Sequence, residues 1–351
     1  MRKLGLVLAL AALLGALALW RLCSDAPRPA ASPFQPASEG GATLTVEEGI
    51  AVLHLRGDAR ERGLGHGRLL RESIAAALER LKPVEPTMVP FAVDDCGRRL
   101  LGFVPPILRA ELEGIAEGSG RTLNEIAFLN ARFELASFRL VGDGDAHQRL
   151  LQPAAVGPGP TVVRHIDPED LDGLAETLLV VVHEAGGDDP LVTVTLPGMA
   201  GVLLGLRGGA AATLRPVQVS GTSDLNGLVW PLFLRGALEL PEAFAPGAEL
   251  IAKPTLAASL PMTGSRTGLL QVAPPGATWY PSTNGFARAS EAAATGSGGR
   301  IEQGPDAPAS DSSILAEPAS GNRVVVRLER IPEGVQVEFA HGGERRIRVL
   351  R

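Results

Sequence analysis

Residues Gly114–Leu135 read GIAEGSGRTLNEIAFLNARFEL and contain the junction between two predicted helices. The first helix covers Ile107–Glu117 and stops at the glycines that follow, because glycine is a poor helix former. Thr122 and Glu125 have the spacing of a capping box, in which each side chain accepts a hydrogen bond from a backbone N–H at the start of a helix. The helix that follows has apolar residues at helical spacing, namely Ile126, Leu129 and Phe133. The stretch therefore predicts two helices joined by a short glycine-containing turn.

The segments on either side differ in periodicity. Thr43–Leu55 alternates between apolar and polar residues, with a turn at Glu47-Glu48-Gly49, and Arg60–Leu81 has the apolar spacing of one amphipathic helix. Later segments are predicted as strands at 161–166, 178–183, 191–196, 202–206, 322–331, 335–339 and 346–350, as a helix at 228–240, and as a mobile loop at 296–321. This order predicts an α+β domain with its sheets inside and its helices outside.

Composition excludes several classes of protein. The chain has 351 residues, a net charge of −6 and no cluster of Arg with aromatic residues, so nucleic acid is not an expected partner. Its two cysteines are Cys23, next to the N-terminal apolar run, and Cys96. A single remaining thiol can form neither an internal disulfide nor a cysteine zinc site. We expect no metal and no cofactor.

The N-terminus has the pattern of an export segment. Arg2 and Lys3 precede the apolar run Leu4–Trp20, whose 17 residues would form a helix about 25 Å long. Three alternatives remain open: an uncleaved membrane anchor, a signal that is removed, and a lipid anchor on Cys23. Each places the rest of the chain outside the cytoplasm, because the basic residues stay inside. We expect three parts: a signal or anchor over 1–24, a flexible tether over 25–41, and one domain over 42–351.

Several short motifs occur in an order that resembles one enzyme family. They are Gly65-His66-Gly67, the stretch 114–135, Arg164-x-x-Asp167, Leu196-Pro197-Gly198-Met199-Ala200-Gly201, Gly205-Leu206-Arg207, Trp230-Pro231-x-x-x-Arg235 and Ser282-Thr283-Asn284-Gly285-Phe286. Together they resemble the acyl-coenzyme A:6-aminopenicillanic acid acyltransferase family of N-terminal-nucleophile hydrolases. The resemblance covers roughly residues 43 to 350, and its specificity comes from the shared order of the motifs.

The resemblance implies a four-layer αββα fold and a chain that cuts itself before its nucleophile. The new N-terminal amine, with a pKa near 8, would then be the base. Arg164 and Asp167 match the strand that orients this amine, so they are the implied catalytic residues. Asn284 and His66 are the implied substrate-binding residues, and the implied ligand is an acyl or amide compound.

The chain departs from the family pattern at the nucleophile. The family has a Cys about 18 residues before the matching Asp, but the segment between His147 and Pro160 contains no Cys, Ser or Thr. The chain also has no Asn between Asn130 and Asn226 that could donate a hydrogen bond to an oxyanion. Losing one such donor lowers the rate by about 10²–10³, and losing the nucleophile removes the covalent route. We therefore expect a relative without turnover that binds a ligand or partner through the former substrate cleft.

Two other functions stay open at this point. Thr161 is the nearest hydroxyl, and it would be the nucleophile of an active amide hydrolase or acyltransferase that cuts before it. The third possibility is a structural protein of the cell envelope that shares only the architecture. Simpler roles also exist for the site residues: a buried Arg164–Asp167 ion pair, close helix packing around His66, and an ordinary turn at Asn284.

Overall fold

Two β-sheets and six helices make up the described part of the computed structural model. The described residues are 33–81, 89–132, 154–156, 161–166, 177–184, 189–207, 210–217, 228–239, 266–273, 277–282, 285–289, 324–341 and 344–350. The helices are α1 (Ala59–Leu69), α2 (Arg71–Arg80), α3 (Val89–Leu101), α4 (Pro106–Ser119), α5 (Leu123–Asn130) and α6 (Trp230–Glu239).

The larger sheet has ten strands in the order β1-β2-β3-β6-β7-β8-β9-β10-β11-β12. They are β1 (Ala37–Glu39), β2 (Ala42–Glu47), β3 (Ile50–Arg56), β6 (Leu179–Glu184), β7 (Leu191–Thr195), β8 (Leu204–Arg207), β9 (Ala210–Val217), β10 (Arg266–Ala273), β11 (Ala277–Ser282) and β12 (Gly285–Ala289). All neighbours are antiparallel except β3 and β6, which run parallel. The central strands β6, β7 and β8 are buried along almost their whole length, as is typical of a sheet that is covered on both faces.

The smaller sheet has five antiparallel strands in the order β15-β14-β13-β5-β4. They are β4 (Ala154–Val156), β5 (Thr161–Ile166), β13 (Val324–Ile331), β14 (Gly334–His341) and β15 (Glu344–Leu350). Their buried residues Val326, Leu328, Val335 and Val337 belong to the same apolar core as the large sheet. Arg348, on β15, also donates to the Thr45 hydroxyl on β2 at 3.0 Å. The two sheets therefore stack face to face.

The helices cover the opposite face of the large sheet, and glycine brings α1 and α4 together. A Cβ atom added at Gly63 or Gly67 of α1, or at Gly114 or Gly118 of α4, would fall on the backbone of the facing helix. A Cβ atom at Gly65 would fall on Ala42 of β2. The glycines around His66 thus allow one helix to approach both another helix and the sheet.

The structure corrects the prediction of one helix over Arg60–Leu81. The backbone leaves helical geometry at Leu70 (φ −114°, ψ 20°), and two helices result. The break lets α1 lie against α4 and β2, while Ile74 and Ala77 of α2 still reach the core. The apolar periodicity of the sequence continues through Leu70, so the sequence pattern does not reveal the break. The structure also contains a helix and six strands that the sequence patterns do not predict, namely α3, β1, β4, β9, β10, β11 and β12.

The α+β class is confirmed at the level of mixed helices and sheets. Residues 33–41, which the sequence predicts to be part of the flexible tether, include the buried Phe34 and strand β1, which pairs with β2. The predicted loop over 296–321 and the apolar run Leu4–Trp20 lie outside the described residues. Within the part that is described, no helix is long and apolar enough to cross a membrane.

Candidate functional site

Two of the predicted catalytic positions lie on β5 of the small sheet. Position 164 is in register with Val326 of β13 and Ala154 of β4, whereas position 161 is in register with Glu329 of β13. Successive strand residues alternate between the two faces of a sheet, so positions 161 and 164 belong to opposite faces. Asp167 and Asn284 lie outside the described residues.

His66 lies in a different layer from β5. It is on α1, it is buried, and its Nε2 accepts a hydrogen bond from the backbone N–H of Gly198 at 3.0 Å. Burial, together with the positive charge of Arg235, lowers the pKa of His66 to about 4. The ring is therefore neutral at pH 7 and carries its proton on Nδ1. The large sheet separates α1 from the small sheet, so the structure does not bring His66 and Arg164 together.

The partner of His66 belongs to a tight turn over residues 196–201. Gly198 has a φ of +79°, which favours glycine, and a Cβ there would lie 2.5 Å from the Leu129 side chain. The Asn130 side chain, at the end of α5, donates to the Gly198 carbonyl and accepts from the Gly201 N–H, both at 3.0 Å. The Thr195 hydroxyl donates to the Gly201 carbonyl at 2.6 Å. Side chains from α1, α5 and β7 thus fix this turn.

A buried ion network lies beside the turn, between the helices and the large sheet. Arg235 of α6 lies 3.1 Å from a Glu111 oxygen on α4 and 2.9 Å from a Glu239 oxygen. Arg62 of α1 lies 2.8 Å from Glu239 and 3.4 Å from Glu111. The four side chains are almost fully buried, and their formal charges sum to zero. We call these four residues the ion network.

Burial and charge act against each other on the two carboxylates. Burial raises the pKa of Glu111, although both guanidinium groups oppose this. Burial also acts to raise the pKa of Glu239, but Arg235, Arg62 and Arg207 together bring that pKa below its usual value. Arg207 additionally donates to the Glu239 carbonyl at 2.8 Å, so it caps the end of α6.

His183 of β6 extends the network to the sheet. Its Nε2 accepts from Arg235 at 2.9 Å, so its proton is on Nδ1. Within the described part of the chain Nδ1 makes no hydrogen bond, and a Glu111 carboxylate oxygen lies 3.9 Å from it. Burial, followed by the charges of Arg235 and Arg62, lowers the pKa of His183 well below its usual value. A neutral histidine with two guanidinium groups beside it cannot accept a proton easily, so it is a poor general base.

The arrangement joins parts of the chain that are far apart in sequence. Motifs containing His66, Arg207 and Arg235, the turn over 196–201, and the stretch that includes Asn130 all meet in this one region. The sequence patterns do not predict four of the residues that meet here, namely Arg62, Glu111, His183 and Glu239. One signal was present: Glu111 interrupts the apolar face of its helix, and a charge in such a position needs a buried partner.

The region does not have the composition of a metal centre. Among the described residues, no three His, Cys, Asp or Glu side chains are grouped so that they could hold a metal ion. Compared with models of known protein families and with curated protein sequences, the chain matches none. The fold and the site together define a structural class: an α+β protein with two stacked sheets and a buried ion network beneath its helices.

The burial of His66 leads to a testable pH dependence. Between pH 7 and pH 4, we expect the free energy of unfolding to fall by about 3 kcal/mol because of this residue. The unfolded chain takes up a proton near pH 6.5 and the folded protein only near pH 4, and each pKa unit corresponds to about 1.36 kcal/mol. His66→Gln keeps an acceptor for the Gly198 N–H but does not titrate, so it should flatten this part of the profile.

Urea unfolding at several pH values measures this effect. The difference between wild type and variant removes the contribution of carboxylates common to both. His54→Gln, which changes a partly exposed ring, controls for the general loss of a histidine. If the His66→Gln profile is as steep as that of the wild type, His66 does not hold the depressed pKa described above.

Proposed function

We propose that this chain is an exported relative of the N-terminal-nucleophile acyltransferases and amidohydrolases that binds an acyl or amide ligand through the former substrate cleft, without turnover. In this proposal the fold is the four-layer αββα sandwich. The N-terminal segment holds the domain outside the cytoplasm, either as a membrane anchor over residues 4–20 or as a signal that is removed. The ligand would be held near Arg164 and Asp167, with Asn284 as a further donor.

The order of layers supports the proposed fold. Among the described residues, helices cover one face of the large sheet and the small sheet covers the other, which gives three of the four layers. In the proposed fold, the fourth layer would cover the outer face of the small sheet. On that side, Ile347 and Val349 of β15 are 42% and 38% exposed among the described residues. Large apolar residues on a sheet face are the kind of surface that a helix layer covers.

The single observation that carries the proposal is the meeting of the motifs at one turn. The resemblance rests on short segments that are weak individually and agree only in order. Three of those motifs place side chains on the turn at 196–201, through His66, Asn130 and Arg235. A Cβ atom at Gly201 would also lie 2.5 Å from Pro231, which belongs to the Arg235 motif. Chance matches at unrelated places in the chain would have no reason to share one contact region.

The lack of turnover follows from the sequence between His147 and Pro160. Amide cleavage through a covalent intermediate needs a Cys, Ser or Thr at the new N-terminus, and this segment has none. Retained Arg164 and Asp167 can still bind a carboxylate or an amide, because binding requires charge and hydrogen bonding but no nucleophile.

The proposal is tested by the mass of the mature protein. We expect a single chain, uncut between residues 140 and 165, in a denaturing mass measurement of protein purified from its native host. We also expect a compound from a panel of acyl amides to raise the unfolding temperature of the wild type but not of Arg164→Gln. Arg109→Gln, an exposed arginine paired with Glu113, is the matched control. A chain cut in this interval would contradict the absence of turnover.

One observation favours the second candidate, an active amidase or acyltransferase with Thr161 as nucleophile. Thr161 is the first residue of β5, so a cut before it would leave a threonine amine at a strand end. Positions 161 and 164 belong to opposite faces of the small sheet, which weighs against a site that needs both residues. Unchanged hydrolysis of an acyl-amide panel by Thr161→Ala would exclude this candidate.

A further inference from the structure

Arg132 is a fully buried arginine whose guanidinium has no hydrogen-bond partner among the described residues. It follows the end of α5 and has a relative exposure of 0%. Its Nε, Nη1 and Nη2 atoms are all shielded from solvent, and none of them makes a hydrogen bond among the described residues. Buried guanidinium groups are normally paired, because an isolated charge is expensive to remove from water.

The same protein shows how a buried arginine is paired with carboxylates. Arg62 and Arg235 are 3% and 0% exposed, and each faces two carboxylates in the ion network. Arg132 instead feels the like charge of Arg80, which lies on the exposed side of the end of α2. Burial, together with repulsion from Arg80, lowers the pKa of Arg132 to about 9, so the side chain is still charged at pH 7.

Arg132 and Arg80 are two neighbouring positive charges, and the buried one has no hydrogen-bond partner among the described residues. A bound oxyanion would supply the negative charge that this arrangement needs. The guanidinium group presents five N–H donors in a planar fork that matches two oxygens of a carboxylate or phosphate. Arg80 would add attraction from the solvent side, where an anion enters. A neutral ligand would leave the like-charge repulsion in place, so the arrangement selects for negative charge.

We propose that Arg132 and Arg80 form a binding site for a small oxyanion of the carboxylate or phosphate class. Arg132 binds two of its oxygens from below, and Arg80 closes the site from the solvent side. This inference does not depend on the proposed acyl-binding function, because its residues lie on α2 and after α5, in the helix layer. Failure of one proposal would therefore leave the other standing.

The experiment uses the full chain in a buffer free of multivalent anions, titrated with sodium phosphate or with sodium acetate at constant ionic strength. We expect a saturable rise in unfolding temperature and saturable binding by calorimetry for at least one of the two anions. The anion that binds distinguishes a phosphate ligand from a carboxylate ligand. Arg132→Met should weaken binding roughly 100-fold or more, because two hydrogen bonds to charged groups are lost. Arg80→Gln should weaken it less.

Comparing the unfolding temperatures of the wild type and Arg132→Met with and without anion separates a loss of binding from a folding defect. Without anion, Arg132→Met should unfold at a higher temperature than the wild type, because the unpaired buried charge has been removed. At a saturating concentration of the anion, the unfolding temperature of the wild type should rise enough to remove this difference. Arg132→Lys is the second variant; it keeps the charge but not the planar fork, and should bind less tightly than the wild type.

Two results would overturn the proposal. The first is the absence of saturable binding by either anion, or binding of equal strength in Arg132→Met, which would show only the general effect of salt on stability. The second is a pairing within the chain. If Glu134→Gln destabilises the protein and this loss disappears when Arg132→Met is already present, the arginine has an internal carboxylate and needs no external anion.

Discussion

Glu111→Gln should lower the free energy of unfolding by about 3–5 kcal/mol, which is the usual effect of removing one partner from a buried ion pair. Glu111 faces both Arg62 and Arg235, at 3.4 and 3.1 Å. The substitution keeps the shape of the side chain but leaves two buried positive charges with only Glu239. Urea unfolding monitored by circular dichroism measures the loss.

A matched control lies six residues further along the same helix. Glu117 pairs with Arg60 at the surface, where both side chains are at least half exposed. Glu117→Gln should therefore change the free energy of unfolding by less than about 1 kcal/mol. A double variant, Glu111→Met with Arg235→Met, removes one charge of each sign and should cost less than the sum of its two single changes. Equal effects of Glu111→Gln and Glu117→Gln would mean that the ion network is open to water.

Gly67→Ala should lower the free energy of unfolding by about 3 kcal/mol or more, because rigid backbone would have to move. This value is at the upper end of the range for overpacked cores. In an exposed helix the same change would stabilise by up to about 1 kcal/mol, because alanine is the better helix former. Here the new methyl group would meet the Ile115 carbonyl and would lie 2.7 Å from the Ser119 nitrogen, both on α4. A thermal or urea unfolding curve gives the sign directly.

Gly114→Ala probes the same contact from the other helix, where the methyl group would lie 2.7 Å from the Leu64 nitrogen. The two changes together should cost less than their sum, because helices already forced apart accommodate the second methyl group. Gly102→Ala is the control, with its nearest neighbour, the Arg99 carbonyl, at 3.3 Å. A stabilising effect of Gly67→Ala would contradict the close approach of α1 and α4.

Features with a local cause could be predicted from the sequence. Thr122 and Glu125 form the predicted capping box, with the Thr122 hydroxyl accepting from the Glu125 N–H at 3.2 Å and the Glu125 side chain accepting from Thr122 at 2.7 Å. The predicted turn at Glu48 and Gly49 has both residues at positive φ, 52° and 74°. In each case a few neighbouring residues determine the backbone, so no knowledge of the rest of the fold is needed.

Features that depend on distant partners could not be predicted. Glu111 and Arg235 are 124 residues apart, and nothing in either helix identifies the other. Strand β9 reads AAATLRPV and lacks a run of β-branched residues, so its place in the sheet comes from pairing with β8 and β10. His66 was predicted at a ligand site from its motif, and its structural partner, the Gly198 N–H, lies 132 residues away.

The parallel pairing of β3 with β6 determines which method could detect a backbone cut between residues 140 and 165. Its five registered pairs, from Val52–Val180 to Arg56–Glu184, join segments on either side of the 140–165 interval. A break of the backbone in that interval would therefore leave two polypeptides sharing one continuous sheet. Such a nicked species would co-elute with the intact protein in gel filtration and would separate only in denaturant.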